Sequence, residues 1–238
     1  MKKHSYTQTQ FLIEIGGLLA FAYANIVLWA RLAPDLGRDD VWMIAGGVLL
    51  AVLSADFLSG LVHWAGDTWG TEEWPLIGNS LIRTFREHHT DQTAITRHGF
   101  VETNGAQALT SLWIPMLALW LERYSTFWGL YFGMLALFMA CTGQIHKWSH
   151  QERAPVVVRW LQKARLLLGP EHHQGHHTVP FTRSYCITFG WMNRPLDGIR
   201  FFRAAERVIT WMTGAEPRAY EMTPAAREAA ARARTQRA

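Results

Sequence analysis

Cysteine is nearly absent. Cys141 and Cys186 are the two in 238 residues, and both lie among apolar or aromatic neighbours. That excludes a disulfide scaffold and reads as free thiols in a reducing setting. The HExxH word of zinc hydrolases is missing, and so is any internal repeat. No basic run interleaved with aromatics occurs, so nucleic acid is not an expected partner. The net charge of +4 is modest, and its distribution says more than its size. The length suits one domain or one membrane bundle, with little room for a second module.

What the chain does have is 12 Trp, 12 Phe, 11 His and apolar residues gathered in long blocks. At about 1.5 Å per residue, a block of some 20 residues crosses a ~30 Å hydrocarbon core. Residues 11–32 and 41–65 each meet that length, and residues 127–146 form a charge-free block ending in a histidine pair. Between them 108–121 is short and carries Pro115; extended at its start to about 106, it is expected to pair with 127–146 as a hairpin. The expected fold is therefore all-α: an integral membrane four-helix bundle within one domain over 1–222. The first block is too long for a secretory signal, and no small-residue cleavage site follows it.

Loop charges orient such a bundle. Lys2 and Lys3 precede the first span; Arg83, Arg86 and Arg97 lie between the second and third; Lys147, Arg153, Arg159, Lys163 and Arg165 follow the fourth. The positive-inside rule puts both termini and the 70–106 loop in the cytoplasm, on the same side as every histidine. Residues 156–168 and 198–212 pair an apolar face with a basic one and read as amphipathic helices at the membrane interface. The Ala/Arg-rich tail over 223–238 is expected to be unimportant to chemistry and suggests a bacterial inner membrane, with the endoplasmic reticulum as the eukaryotic equivalent.

Ten of the eleven histidines fall between His63 and His177. Imidazole is the commonest metal ligand, and a helix presents residues i and i+4 on one face. His63 and Asp67 end the second span at that spacing, and His146 and His150 end the fourth. His88 and His89 are adjacent in the cytoplasmic loop, and His172, His173, His176 and His177 follow the first amphipathic segment. So many neutral imidazoles on one face suit coordination, and eight or more nitrogen ligands suit two metals rather than one tetrahedral zinc. Imidazole-rich sites accommodate iron among other metals.

The surrounding words carry a resemblance. HxxxH followed by HxxHH is similar to the histidine boxes of membrane desaturases and hydroxylases. DFLSGLVHWAGDTWG from Asp56 to Gly70 and FREHHTDQTAITRH from Phe85 to His98 resemble the plasmanylethanolamine desaturase family, also called Kua. ETNG from Glu102, QIHKWSH from Gln144 and CITFGWMN from Cys186 do so as well, and the likeness covers about residues 50–220. It implies Δ1 desaturation of an alkyl ether phospholipid to a vinyl ether, with two iron ions and dioxygen. It also implies an external electron donor of the cytochrome b or ferredoxin type.

The resemblance further implies that His63, His88, His89, His146, His150, His173, His176 and His177 ligate iron. Asp67 stands where other desaturases have a second histidine; it either ligates iron or holds a ligand imidazole, with ligation favoured. His172 is a ligand or supports one. The catalytic set is expected to be His63, Asp67, His146, His150, His173, His176 and His177. His98 is expected to support rather than coordinate, and Asp56, on the helical face of His63 and Asp67, to serve the interior. Glu87, Asp91 and Glu102 are weaker candidates, Asn104 and Asn193 have no role that spacing shows, and His4 is expected to be silent. Phe85 stands where acyl desaturases have a further histidine. The alternatives are a di-iron desaturase of an acyl chain, a hydroxylase, or a non-enzymatic metal-binding membrane protein. The last is disfavoured because the spans are apolar and the histidines gather at one surface.

Overall fold

The structure, a computed structural model, describes residues 6–37, 40–75, 77–178 and 180–217. His4, Lys2, Lys3 and the 223–238 tail lie outside them. Every regular element among the described residues is helical.

Three helices are long and apolar enough to cross a membrane: α1 (Gln8–Leu32), α2 (Val41–Trp69) and α7 (Thr126–Ser149). α1 starts at a capping box in which the Thr7 hydroxyl accepts from Gln10 N–H and the Gln10 side chain accepts from Thr7 N–H. Ser125 caps α7 through Trp128 N–H. Leu19, Tyr23, Ile26, Leu49 and Val62 stay exposed on these helices, the pattern of a surface facing hydrocarbon rather than water. The inner faces meet in one core, where Phe21, Ala51, Ala55, Ala108, Ile114, Leu135 and Met139 pack together.

The segment expected as one span over 106–121 is instead two helices. α5 (Phe100–Thr110) and α6 (Trp113–Leu121) are separated at Ser111 and Leu112. Pro115 explains the break. It has no N–H to give, so it fits the first turn of a new helix, where that N–H would lack a partner, and not the middle of an old one. Both halves pack against α1 and α7. Between α2 and α5 run a π-helical turn (Gly78–Ile82), α3 (Arg83–Thr90) and α4 (Ala94–Arg97).

After α7 come four short elements: α8 (Val156–Lys163), α9 (Pro170–Gln174), α10 (Asn193–Gly198) and α11 (Phe201–Thr213). α8 leaves Val156, Val157 and Trp160 exposed, and α11 leaves Val208, Trp211 and Met212 exposed. An irregular stretch over 185–192 straps this region to the bundle. Asp56, fully buried in α2, accepts N–H groups of Phe189, Gly190 and Met192, each at 2.8 Å. Ser59 accepts Ile187 N–H at 3.1 Å. Gly60 makes room, since a Cβ there would meet Cys186 Sγ at 2.6 Å. Asp56 therefore serves the interior, with backbone amides as its partners.

Candidate metal centre

Four elements bring their histidines to one buried point. α2 supplies His63 and Asp67, α3 supplies His88 and His89, and α7 supplies His146 with His150 at its end. His173 lies on α9, and His176 and His177 lie in the turn after it. His63, His88, His146, His173 and His176 are no more than 2% exposed.

The imidazoles form two groups that share His88: His88, His146, His150, His173 and His177 in one, and His63, His88, His89 and His176 in the other. In the first, the Nε2 atoms of His146 and His150 each lie 2.9 Å from that of His173, with His177 Nε2 at 3.1 Å. Two ligands about 2.0–2.1 Å from a metal and at right angles to each other are themselves roughly 3 Å apart. In the second, Asp67 Oδ2 lies 3.0 Å from His89 Nε2 and 3.3 Å from Nε2 of both His63 and His176.

Backbone carbonyls decide which ring nitrogen carries the proton. His63 Nδ1 faces Tyr185 O at 3.1 Å, His88 Nδ1 faces Thr84 O at 3.0 Å, and His176 Nδ1 faces Arg183 O at 3.0 Å. A carbonyl only accepts, so each Nδ1 carries the hydrogen and each Nε2 presents a lone pair. A carboxylate oxygen 3.3 Å from two such lone pairs is repelled unless a cation lies among them. His63 Nε2, His88 Nε2 and Asp67 Oδ1 have no hydrogen-bond partner, and an orphaned buried polar atom is costly. The donor set therefore fits metal ions. Outside the spanning helices, burial above all, with neighbouring imidazoles adding to it, pushes the pKa of His88, His173 and His177 below the ordinary histidine value; burial also lowers His176. The neutral form that a metal needs is thus the resting form.

The other expected residues stand around this centre. His172 is outside both groups; its Nε2 faces Asn193 Nδ2 at 3.2 Å, and Asn193 also clasps Cys186 N and O. His98 Nε2 lies 3.2 Å from Glu87, while Arg83 reaches Glu87 at 3.0 Å and Glu102 at 2.7 Å, tying α3 to α5. Asp91 pairs with Arg97 at the surface at 2.6 Å. Asn104 donates to Phe100 O within its own helix. Phe85 lies 5.1 Å from the His63 ring, centroid to centroid, and walls the centre where a further imidazole would otherwise stand. Sequence reading missed Thr84, Arg183 and Tyr185, because the groups they offer are carbonyls, which every residue has.

A cavity of about 300 Å³ has His146 in its wall. It is lined by α2, the π-helical turn, α3 to α7 and the strap at Ile187, and its walls include Leu58, Val62, Leu81, Phe85, Ile114 and Met139. Such a space suits a hydrocarbon chain more than a polar metabolite.

Fold and site together define a class: a helical protein of membrane-spanning length with a buried, histidine-rich centre for metal ions beside an apolar cavity. The chain belongs to the lipid desaturase family, whose domain matches residues 52–220. It is 47% identical over 211 residues to the plasmanylethanolamine desaturase of Myxococcus xanthus, covering 87% of this chain and 74% of that relative. Plasmanylethanolamine desaturase 1 of Mus musculus is 45% identical over 216 residues, 86% of this chain and 77% of its own. Fatty acid desaturase 4, chloroplastic, of Arabidopsis thaliana is 32% identical over 70% of this chain and 51% of its own length. No solved structure matches the chain.

Proposed function

We propose that the chain is a plasmanylethanolamine desaturase, which introduces the 1'-alkenyl double bond into the alkyl chain of an ether phospholipid. The observation that carries this reading is the apolar cavity meeting the buried histidine centre at His146. The bacterial and mouse relatives bearing that name support it.

In this reading His146, His150, His173 and His177 would hold one iron and His63, Asp67, His89 and His176 would hold the other, with the single Nε2 lone pair of His88 available to either. Bound there, two irons would supply the activation of dioxygen needed to attack an unactivated C–H bond. The chain's own residues orient and exclude. The carbonyls of Tyr185, Thr84 and Arg183 hold three Nδ1–H groups and so aim Nε2 inward. The cavity walls keep water from the alkyl chain and set its first carbons beside His146. Two electrons and two protons come from the two hydrogens removed from the substrate; an external cytochrome b-type or ferredoxin-type donor would supply two more electrons and solvent two more protons, so that dioxygen leaves as two waters.

The loop charges support a four-span bundle in which α5 and α6 together make the third span. Both termini and the histidine centre then face the cytoplasm of a bacterial inner membrane, or that side of the endoplasmic reticulum. Exposed Trp160 and Trp211 suit α8 and α11 to the headgroup layer.

The test is lipid analysis of a host without plasmalogens that expresses the chain and is fed alkyl ether phospholipid. An acid-labile vinyl ether is expected. A new double bond in an acyl chain, with no vinyl ether, would move the substrate to that of the Arabidopsis relative's name.

A further inference from the structure

The cavity wall is less polar than its residue types suggest. Ser59, Thr84, Thr103, Thr110, Ser111 and Thr142 all line it. Each of their hydroxyls donates to a backbone carbonyl three or four residues earlier, at 2.6–3.1 Å. With their donors turned to the backbone, these residues leave a largely apolar surface.

Gln107 is different. Its side-chain amide lines the same wall and has no hydrogen-bond partner among the described residues. It lies against Gly143, where a Cβ would come 2.8 Å from Gln107 Oε1 and 2.5 Å from Thr103 O. Gly143 precedes His146 by three residues on α7, so the amide stands about one helical turn, roughly 5 Å along the axis, from the His146 ring in the same cavity wall. The amide is half-buried and open to the cavity, so a ligand that fills the cavity and displaces water must pair with it or leave it unsatisfied, at a cost in free energy. A plain hydrocarbon chain offers no partner. An alkyl ether offers one acceptor, the oxygen bonded to the first carbon of the bond to be desaturated.

We propose that Gln107 donates an N–H to the ether oxygen of the substrate and so sets which carbons of the alkyl chain reach the histidine centre. This rests on the reading of the chain as an ether-lipid desaturase. The hydrogen bond fixes the depth of the chain, because the reacting carbons are the two that follow the oxygen. Once the reacting carbons face the histidine centre, Gln107 is the cavity-lining amide one turn away.

The experiment compares kcat/KM for a 1-O-alkyl ether phospholipid with that for its thioether analogue, using full-length purified chain loaded with iron and supplied with an electron donor. Sulfur is a weak acceptor, so wild type favours the oxygen ether. Gln107→Met lowers that preference about 3- to 10-fold, the scale of one neutral hydrogen bond, and leaves iron content unchanged. Comparing ratios cancels the intrinsic reactivities of the two ethers, and general damage to the fold would slow both substrates alike. Gln107→Leu also removes the donor, with a smaller apolar side chain, and gives the same loss of preference; it decides the matter if Gln107→Met does not fold. An unchanged ratio in either folded variant overturns the proposal. If wild type makes no vinyl ether from the oxygen substrate, the parent reading fails as well.

Discussion

Asp56→Asn is the substitution for which the structure gives the clearest magnitude. The carboxylate accepts three backbone N–H groups at 2.8 Å, two on Oδ1 and one on Oδ2, with no exposure to solvent. Asparagine keeps the shape and loses the charge. Its one oxygen can retain two of the bonds at neutral strength, a loss of about 1 kcal/mol each, and its NH2 turns a donor toward the third amide, leaving that N–H unsatisfied at about 1–3 kcal/mol. The sum is roughly 3–5 kcal/mol. At about 2–4 °C per kcal/mol for a chain of this size, the melting point falls by roughly 6–20 °C. The assay is thermal unfolding of the detergent-solubilised, chelator-treated protein followed by tryptophan fluorescence, so that bound metal does not mask the change. Asp91→Asn is the control: Asp91 is half exposed and pairs with an exposed Arg97, so it shifts the midpoint by no more than about 4 °C, below the range for Asp56→Asn. The strap held by Asp56 also carries Tyr185, whose carbonyl orients His63, so Asp56→Asn weakens metal retention too. A melting point within about 2 °C of wild type would refute the strap.

Three further outcomes follow from the same geometry. His173→Ala removes an imidazole 2.9 Å from two others and should strip metal from the purified protein, whereas His172→Ala, outside both groups, should keep it; equal metal content in the two variants would contradict the grouping. Because burial lowers the pKa values of His88, His173, His176 and His177 in the folded chain, the unfolded chain takes up protons first as pH falls below about 6.5. The metal-free protein should therefore lose stability toward acid by up to about 1.4 kcal/mol per group per pH unit, and a flat denaturation midpoint between pH 8 and 5.5 would speak against buried neutral imidazoles. Met139→Trp fills the cavity at an overpacking cost of about 1–3 kcal/mol; vinyl-ether formation should drop at least about tenfold with metal retained, and full activity would send the alkyl chain elsewhere.

The long helices and the histidine groups were legible for simple reasons. Apolar runs near 20 residues mark α1, α2 and α7, and i,i+4 pairs such as His146 and His150 declare a shared helix face. The break between α5 and α6 was less so: Pro115 was visible, but whether it kinks a helix or opens a new one depends on its neighbours. Asp56 was recognised as serving the interior, yet its partners are backbone amides more than 130 residues away, which no local pattern encodes. The carbonyls that fix His63, His88 and His176 were invisible for the same reason. The cavity is a property of many elements packed together, and Gln107 stands out only once the hydroxyls around it are seen to be satisfied.

The central claim is a two-metal centre built by nine protein ligands, His88 among them. It is tested most directly by elemental analysis of the purified chain, with Asp67→Ala measured beside it. Two irons per wild-type chain, and fewer in Asp67→Ala, are the expected result. One zinc per chain, or no metal at all, would contradict the account.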